Sequence, residues 1–375
     1  MRTSLFRGKR RWGLLIPAVL FSSLLIASCS GDPANIIDTA GPVANKEAGL
    51  FWFILGVATF IFVVVEAVLI YTIIRYRARP NSPEPRQLHG NNTIEIIWTV
   101  VPSIFLFAVL AGTIYTMFGL QQPAGNHLEV KAVGHQWWWE FDYPAQHIVT
   151  ADTLYVPKGT VVQVDLVSNN VIHSFWIPAL AGKTDVIPGH DNTRWFTADT
   201  AGTYVGECAE YCGTQHAHMQ FNVVVYDSAD QFNTWVSSQQ QAATTPSGTL
   251  AQQGLQIFKG AGGCQACHGI VGVNLNTFND PKGQLLVGPN LTHFGSRSLV
   301  AGGVEAVSNG PGNGHSWAND PACQLVNGKL ANKDNCGLYK WLQDPQGVKP
   351  GNDMVIGQLS DAQIYALIAY LQSLQ

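Results

Sequence analysis

Two long apolar runs, Leu50 to Ile74 and Ile94 to Phe118, constrain this chain more than any other feature. Each is about 25 residues long, and a helix needs roughly 20 to cross ~30 Å of hydrocarbon. Between them stand Arg75, Arg77, Arg79 and Arg86, with Pro80, Pro83 and Pro85 breaking any helix. Short cationic loops stay on the cytoplasmic side. The runs therefore form a hairpin with both ends outside, and everything after about Gln121 lies on the outer face. Glu66 falls inside the first run, where a carboxylate is a functional candidate by default. A hydrogen bond to a partner subunit explains it equally well, so it is assigned no role. Glu95, at the cytoplasmic start of the second run, reads as an interfacial residue.

Composition agrees with a membrane anchor carrying a soluble remainder. Only 12% of the 375 residues are charged, against roughly 25% in an ordinary soluble domain. The net charge of −4 is too mild to argue for a nucleic-acid partner, and no basic stripe is present, so none is expected. Ahead of the hairpin, Arg2, Arg7, Lys9, Arg10 and Arg11 precede an apolar run from Trp12 to Ala27 and then Ser28-Cys29. A basic start, a short apolar stretch and small residues describe a secretory signal peptide over 1–28. The sequence Ile26-Ala27-Ser28-Cys29 also resembles a bacterial lipobox, which makes Cys29 the lipidated first mature residue. The alternative is an uncleaved anchor ending in an ordinary cysteine.

From about Leu128 to Tyr226 the period changes to two. Val162, Val164 and Leu166 alternate with Gln163 and Asp165; Met219, Phe221, Val223 and Val225 alternate with Gln220, Asn222 and Val224. Turn signals at Pro157-Lys158-Gly159, Pro188-Gly189 and Ala201-Gly202 complete the pattern of an antiparallel sandwich or barrel. Inside it sits Cys208-Ala209-Glu210-Tyr211-Cys212, followed by His216 and Met219. Two thiolates, an imidazole and a thioether at this spacing suit copper electron transfer. A hydrolytic metal would favour carboxylates and an open position. A lone C-x3-C in an exported domain is more often a disulfide or chance, but His173 in Val171-Ile172-His173-Ser174-Phe175-Trp176 adds to the set. His218, two residues from His216, is left out of it.

A second signature follows in Cys264-Gln265-Ala266-Cys267-His268, the attachment motif of a c-type haem. Cys264 and Cys267 would form the thioethers and His268 would bind the iron. A methionine as sixth ligand raises the potential, and the chain has four methionines. Met1, Met117 and Met219 lie elsewhere, which leaves Met354; His293 and His315 are the competing candidates. The stretch 237–249, rich in Ser, Gln, Ala, Thr, Pro and Gly, reads as a flexible linker with an r.m.s. span of roughly 20 Å. Past it, Ser360 and Gln363 predict a capping box for a last helix. Its stripe of Ile364, Leu367, Ile368 and Leu371 is expected to pack on the helix before Cys264. Cys323 and Cys336 remain, either paired as an exported chain permits or as two unpaired thiols.

Together these residues resemble subunit II of the haem–copper cytochrome c oxidases. The resemblance covers the two-span hairpin, Gly134-His135-Gln136-Trp137-Trp138-Trp139, the His173 strand, Lys183-Thr184-Asp185 with Ile187-Pro188-Gly189, and the C-x-E-x-C-x3-H-x2-M loop. Trp138 stands where tyrosine is frequent, and His190 where arginine is usual. The resemblance implies a cupredoxin-like domain holding the dinuclear copper centre called CuA. Its thiolates would be Cys208 and Cys212, His173 and His216 would each bind one copper, Met219 would be a weak ligand and Glu210 a carbonyl ligand. The Glu210 side chain would also serve a magnesium or manganese site shared with subunit I. Trp137 matches the aromatic through which electrons reach CuA, and Glu95 the glutamate at the mouth of a proton-uptake path.

The C-terminal part resembles a small class I cytochrome c, in which the Pro289 carbonyl of Gly288-Pro289-Asn290-Leu291 would orient His268. The expected fold is thus multidomain: signal peptide (1–28), N-terminal segment and transmembrane hairpin (29–120), cupredoxin-like β-sandwich (121–236), linker (237–249) and all-α cytochrome c domain (250–375). The expected function is that of the electron-accepting subunit of a terminal oxidase in the bacterial inner membrane, with both soluble domains periplasmic. Electrons would come from an external donor, such as a cytochrome c or an upstream respiratory complex. They would pass through haem c and CuA to subunit I, where oxygen is reduced to water with proton translocation; subunit III is a further expected partner. Nitrous oxide reductase also uses CuA, but the 11 histidines do not furnish its histidine-rich catalytic domain. Quinol-oxidase subunits II lack the copper cysteines. A free-standing electron shuttle would need neither the second span nor Glu95.

Overall fold

The computed structural model describes residues 34–375 except 78, 81–86, 88, 261 and 309–314. The expected signal peptide, Cys29 and Arg86 lie outside the described residues. The two apolar runs form helices α1 (Pro42–Arg75) and α2 (Asn92–Gly119). Proline opens α1 at a position where its missing N–H costs nothing. Asn91 caps α2, its side chain accepting from Thr93 N at 3.1 Å and Ile94 N at 3.3 Å. No residue of α2 is buried, so its apolar surface faces outward, as a bilayer requires.

The outer end of the hairpin is clamped to the next domain. Val43 and Ala44 are buried, Ala44 N reaches Leu180 O at 3.3 Å, and Glu47 pairs with Arg194 at 2.7 Å. Lys46 of α1 binds the carbonyl of Gly119 at the end of α2, and the Leu120 carbonyl just beyond accepts from Trp195 Nε1 at 2.8 Å. The sandwich therefore stands on the membrane anchor rather than swinging from it.

That sandwich has ten strands: β1 (Leu128–His135), β2 (Trp138–Tyr143), β3 (Ile148–Ala151), β4 (Thr153–Pro157), β5 (Val162–Ser168), β6 (His173–Ile177), β7 (Ala181–Val186), β8 (Asn192–Phe196), β9 (Gly202–Cys208) and β10 (Gln220–Tyr226). One sheet runs β3-β2-β1-β5-β8, the other β4-β10-β9-β6-β7. The wholly antiparallel arrangement expected from the alternation is corrected at two pairs, β1–β5 and β4–β10, which are parallel. The reason is the path of the chain: it leaves the first sheet at Asp152, adds β4 to the second, and returns as β5 in the direction of β1.

Inward-facing side chains of both sheets make the core, as a two-layer fold demands. At its centre Phe175 stacks on Phe221 with centroids 4.9 Å apart, and Trp139 meets each of them at 5.6 Å. Such pairs add ~1 kcal/mol each beyond the area they bury. Gly206 makes the room, since a Cβ there would lie 2.1 Å from the Phe221 ring.

Helix α3 (Ala229–Gln239) closes the sandwich and runs into the stretch expected to be a tether. What remains is short and held: Ala243 N donates to Val271 O at 3.0 Å, and His293 Nε2 meets the carbonyls of Gln239 and Gln241 at 3.0 and 3.1 Å. Satisfied backbone groups, not composition, set its order. The C-terminal domain follows with α4 (Thr249–Lys259), α5 (Gly337–Gln343), α6 (Pro345–Val348) and α7 (Asp361–Ser373), plus two short two-stranded ribbons. The Ser360–Gln363 capping box forms, and α7 lies against α4 through Gly254, where a Cβ would stand 2.0 Å from Ala366 O. Cys323 and Cys336 are paired, S–S 2.00 Å, which answers the choice left open by the sequence.

Candidate functional site

One end of the second sheet gathers the sulfur and imidazole groups. His173 opens β6, Cys208 ends β9, and Met219 immediately precedes β10. The register Phe175↔Cys208 sets His173 beside the loop. Bonds from Cys208 N to Met219 O (3.0 Å) and from Ala209 N to Ser174 O (2.9 Å) tie both ends of that loop to the strands. His173 and Met219 are fully buried, and Cys208 and Cys212 nearly so.

The donors form a chain. His173 Nδ1 lies 3.8 Å from Cys208 Sγ, the two sulfurs are 3.7 Å apart, and Cys212 Sγ lies 3.7 Å from His216 Nδ1 and 3.8 Å from Met219 Sδ. Cys208 and Cys212 are thus close yet unbridged, which disposes of the disulfide alternative here. Hydrogen bonding between them holds the Cys208 thiol down, to about 3, and the Cys212 thiol up. His173, Cys208 and Cys212 have ligand atoms within 4.8 Å of one another; His216 approaches from the Cys212 side. The Glu210 carbonyl is 3.3 Å from Cys208 Sγ while its side chain is exposed. Asn170 Oδ1 holds the far nitrogen of His173 at 3.0 Å, the kind of outer contact that orients a ligating imidazole. On its other face a Cβ at Gly134 would come within 2.8 Å of the ring. His218 turns away to Gln215 Oε1 at 2.7 Å.

Trp137 leans on this loop. Its Nε1 donates to the Cys212 carbonyl at 2.9 Å, as does Gln136 Nε2 at 2.7 Å. The far edge of the indole faces the C-terminal domain, where a Cβ on Gly351 would be 3.8 Å away.

That domain has a cavity of about 540 Å³ whose lining includes Cys264, Cys267, His268 and Met354 together with Phe258, Leu291 and Leu367. Trp137 and Lys349 also line it. His268 Nδ1 meets Pro289 O at 2.9 Å, and Gly288 permits this, since a Cβ would be 2.6 Å from the ring. Burial lowers the basicity of His268 and raises the Cys264 thiol. His293, a competing ligand in the sequence, is spent on the linker carbonyls. Glu95 lies apart at the other end of α2, where its Oε1 accepts from Asn91 N at 3.3 Å.

Three buried charged groups at the seam between the domains carry no sequence signal. Burial draws Lys349 down to about 8, pushes Asp152 up to about 6 and draws Arg297 down to about 10. Only the Gly302-Gly303 pair hints at a close approach nearby.

The comparisons with known proteins agree with one another. Residues 148–226 match the family profile described as cytochrome c oxidase subunit II, periplasmic domain, and residues 32–114 its transmembrane domain. Cytochrome c oxidase subunit 2 of Alkalihalophilus pseudofirmus is 33% identical over 364 residues, covering 95% of each chain. That of Bacillus subtilis is 32% identical over 390 residues, covering 98% of each. The crystal structure of the periplasmic domain of subunit II of cytochrome oxidase from Bradyrhizobium japonicum is 31% identical, covers 32% of this chain and 96% of that one, and gives a TM-score of 0.30.

Proposed function

The chain belongs to the cytochrome c oxidase subunit II family, and from that premise we propose that it accepts electrons from an external donor at its C-terminal domain and delivers them from its β-sandwich to subunit I. There oxygen is reduced to water with proton translocation. The family and the two apolar helices make it an inner-membrane protein with a periplasmic domain.

In this reading His173, Cys208, Glu210, Cys212, His216 and Met219 would hold dinuclear copper, and Cys264, Cys267, His268 and Met354 a c-type haem. Bound there, the two groups supply one-electron chemistry and nothing else. The protein supplies the surroundings. Burial keeps water from the sulfurs, and strand register fixes their separation, so little has to move when charge changes. Asn170 and the Pro289 carbonyl orient the buried His173 and half-buried His268 imidazoles, and a carbonyl acceptor raises the basicity of the nitrogen left free. Trp137, hydrogen-bonded to Cys212 and lining the cavity, offers the contact between the two regions. Glu95 would stand at the mouth of a proton path, and the exposed Glu210 side chain is free to join a magnesium or manganese site with subunit I.

The observation that carries this reading is the donor set itself. Two thiols, two imidazoles and a thioether converge without a carboxylate, a combination that favours copper over hard cations. The test is metal and haem quantification with an optical spectrum of the purified complex. Expected are two coppers and one c-type haem per chain, with a near-infrared band from the copper pair; folded protein lacking copper refutes the reading.

A further inference from the structure

Lys349 sits in the Lys349-Pro350-Gly351 turn of the C-terminal domain and is 2% exposed. An ammonium has three donors and no acceptor, and here all three are used. Lys349 Nζ donates to Trp137 O at 2.6 Å, His218 O at 2.9 Å and Ala301 O at 2.6 Å. The first two acceptors belong to the sandwich, one in the β1–β2 turn and one in the loop of His216 and Met219. The third belongs to the lysine's own domain. A lysine on a freely swinging domain keeps its head in water; this one is drawn into a seam where two carbonyls of the other domain converge.

The seam around it is built to the same end. Asp152, at the corner between β3 and β4, accepts from Trp139 N at 3.0 Å and, across the domains, from Gly302 N at 3.1 Å. Gly302 has φ +64°, and a Cβ there would stand 2.4 Å from Trp137 O and 2.6 Å from Lys349 Nζ. Gln215 Nε2 donates to Pro350 O at 2.8 Å. The segment these bonds fix is the one whose Gly351 lies against the Trp137 indole, three residues before Met354.

We propose that Lys349 is a positioning residue that keeps the C-terminal domain docked over Trp137, so that Trp137 exchanges electrons with this chain's own haem domain and is closed to a soluble donor protein. This rests on the roles given above to Trp137 and Met354. A soluble donor must then deliver its electron to the outer surface of the C-terminal domain. The side chain acts through the placement of Trp137, its three donors all being spent on backbone carbonyls.

The test uses the intact oxidase complex and Lys349→Met, which keeps an apolar stem and removes every donor. Three quantities are read: hydrogen exchange at the Gly302 amide, flash-induced electron transfer between the c-type haem and the copper pair, and reduction of the copper band by a photoexcited zinc-substituted cytochrome c. Expected, with both optical bands intact, are at least tenfold faster exchange, at least tenfold slower internal transfer, and a new direct reduction by the soluble donor. A purely structural role would not create that last reaction. Gln215→Ala, which removes a single bond across the seam, should move all three in the same directions by a smaller factor; it decides the matter if Lys349→Met loses its bands. Unchanged exchange and unchanged rates in variants with intact bands would overturn the proposal. Absence of either band from the unaltered complex would instead overturn the assignment of the sites on which it rests.

Discussion

At the end of the β-sandwich the sulfur and imidazole donors stand 3.7–3.8 Å from their neighbours. In the C-terminal domain Cys264, Cys267, His268 and Met354 surround a cavity of about 540 Å³. The difference follows from what each region would hold. A metal pair needs a compact set of donors, and strand ends joined by a short loop deliver that, because register sets their separation. A large planar group needs a slot, and loops between helices can leave one open. The sandwich has a complete core of its own around Trp139, Phe141, Phe175 and Phe221. In the C-terminal domain Phe258, Leu291, Leu367 and Leu371 face the slot as well as each other. The first region should therefore tolerate an empty metal site far better than the second tolerates an empty slot.

The largest effect is expected from Cys212→Ser. It removes the sulfur shared by the His216 and Met219 side of the chain of donors, so the near-infrared copper band should vanish while the c-haem spectrum stays as it was. The change is nearly isosteric, so the sandwich should stay folded by circular dichroism. Retention of the band would break the ligand assignment. Met354→Ala comes next and probes the other region. Thioethers to Cys264 and Cys267 would keep the proposed haem attached, but a weaker sixth ligand should lower its potential by on the order of 0.1 V, a fraction of the ~0.8 V that axial ligation commands. Redox titration at the c-haem band reads it, and an unmoved potential would break the assignment of Met354.

The same contrast explains what was legible beforehand. Five of the proposed copper-site residues fall between Cys208 and Met219, so local spacing alone displays them, and C-x-x-C-H is likewise contiguous. The alternation in β5 and β10 announced strands but not the parallel pairing of β1 with β5, which depends on where the chain changes sheets. Lys349 was invisible for a plainer reason: its three acceptors are 212, 131 and 48 residues away in sequence, and a lysine beside Pro-Gly looks like any surface turn. The 237–249 stretch misled because composition reports what a segment can do when nothing holds it. In the fold, Gln239 is buried and the carbonyls of Gln239 and Gln241 are occupied by His293.

A smaller effect separates the stabilities of the two regions. Gly254 is where α4 meets α7, and a Cβ there would overlap the Ala366 carbonyl. Overpacking against backbone costs about 1–3 kcal/mol. Gly254→Ala should therefore lower the unfolding temperature of the C-terminal domain, read as loss of the c-haem Soret circular dichroism on heating. The copper band should melt where it did before. A common shift of both transitions would mean that the seam at Lys349 couples the domains into a single cooperative unit.

The smallest expected effect is the sharpest test of how the first site is made. Glu210 presents its carbonyl to Cys208 at 3.3 Å while its carboxylate points out of the site and is exposed. If only the backbone belongs to the copper side, Glu210→Gln should leave the near-infrared band and the copper content unchanged, because neither the loop bonds at Cys208 and Ala209 nor the donor spacing involves the side chain. The change should instead appear at the boundary with subunit I. In complex grown with manganese, the electron paramagnetic resonance signal of bound Mn²⁺ should weaken severalfold, since a neutral amide is a poorer ligand than a carboxylate for a hard cation. A displaced copper band would show that the side chain reaches inward in the assembled enzyme, and the division of Glu210 between two sites would have to be abandoned.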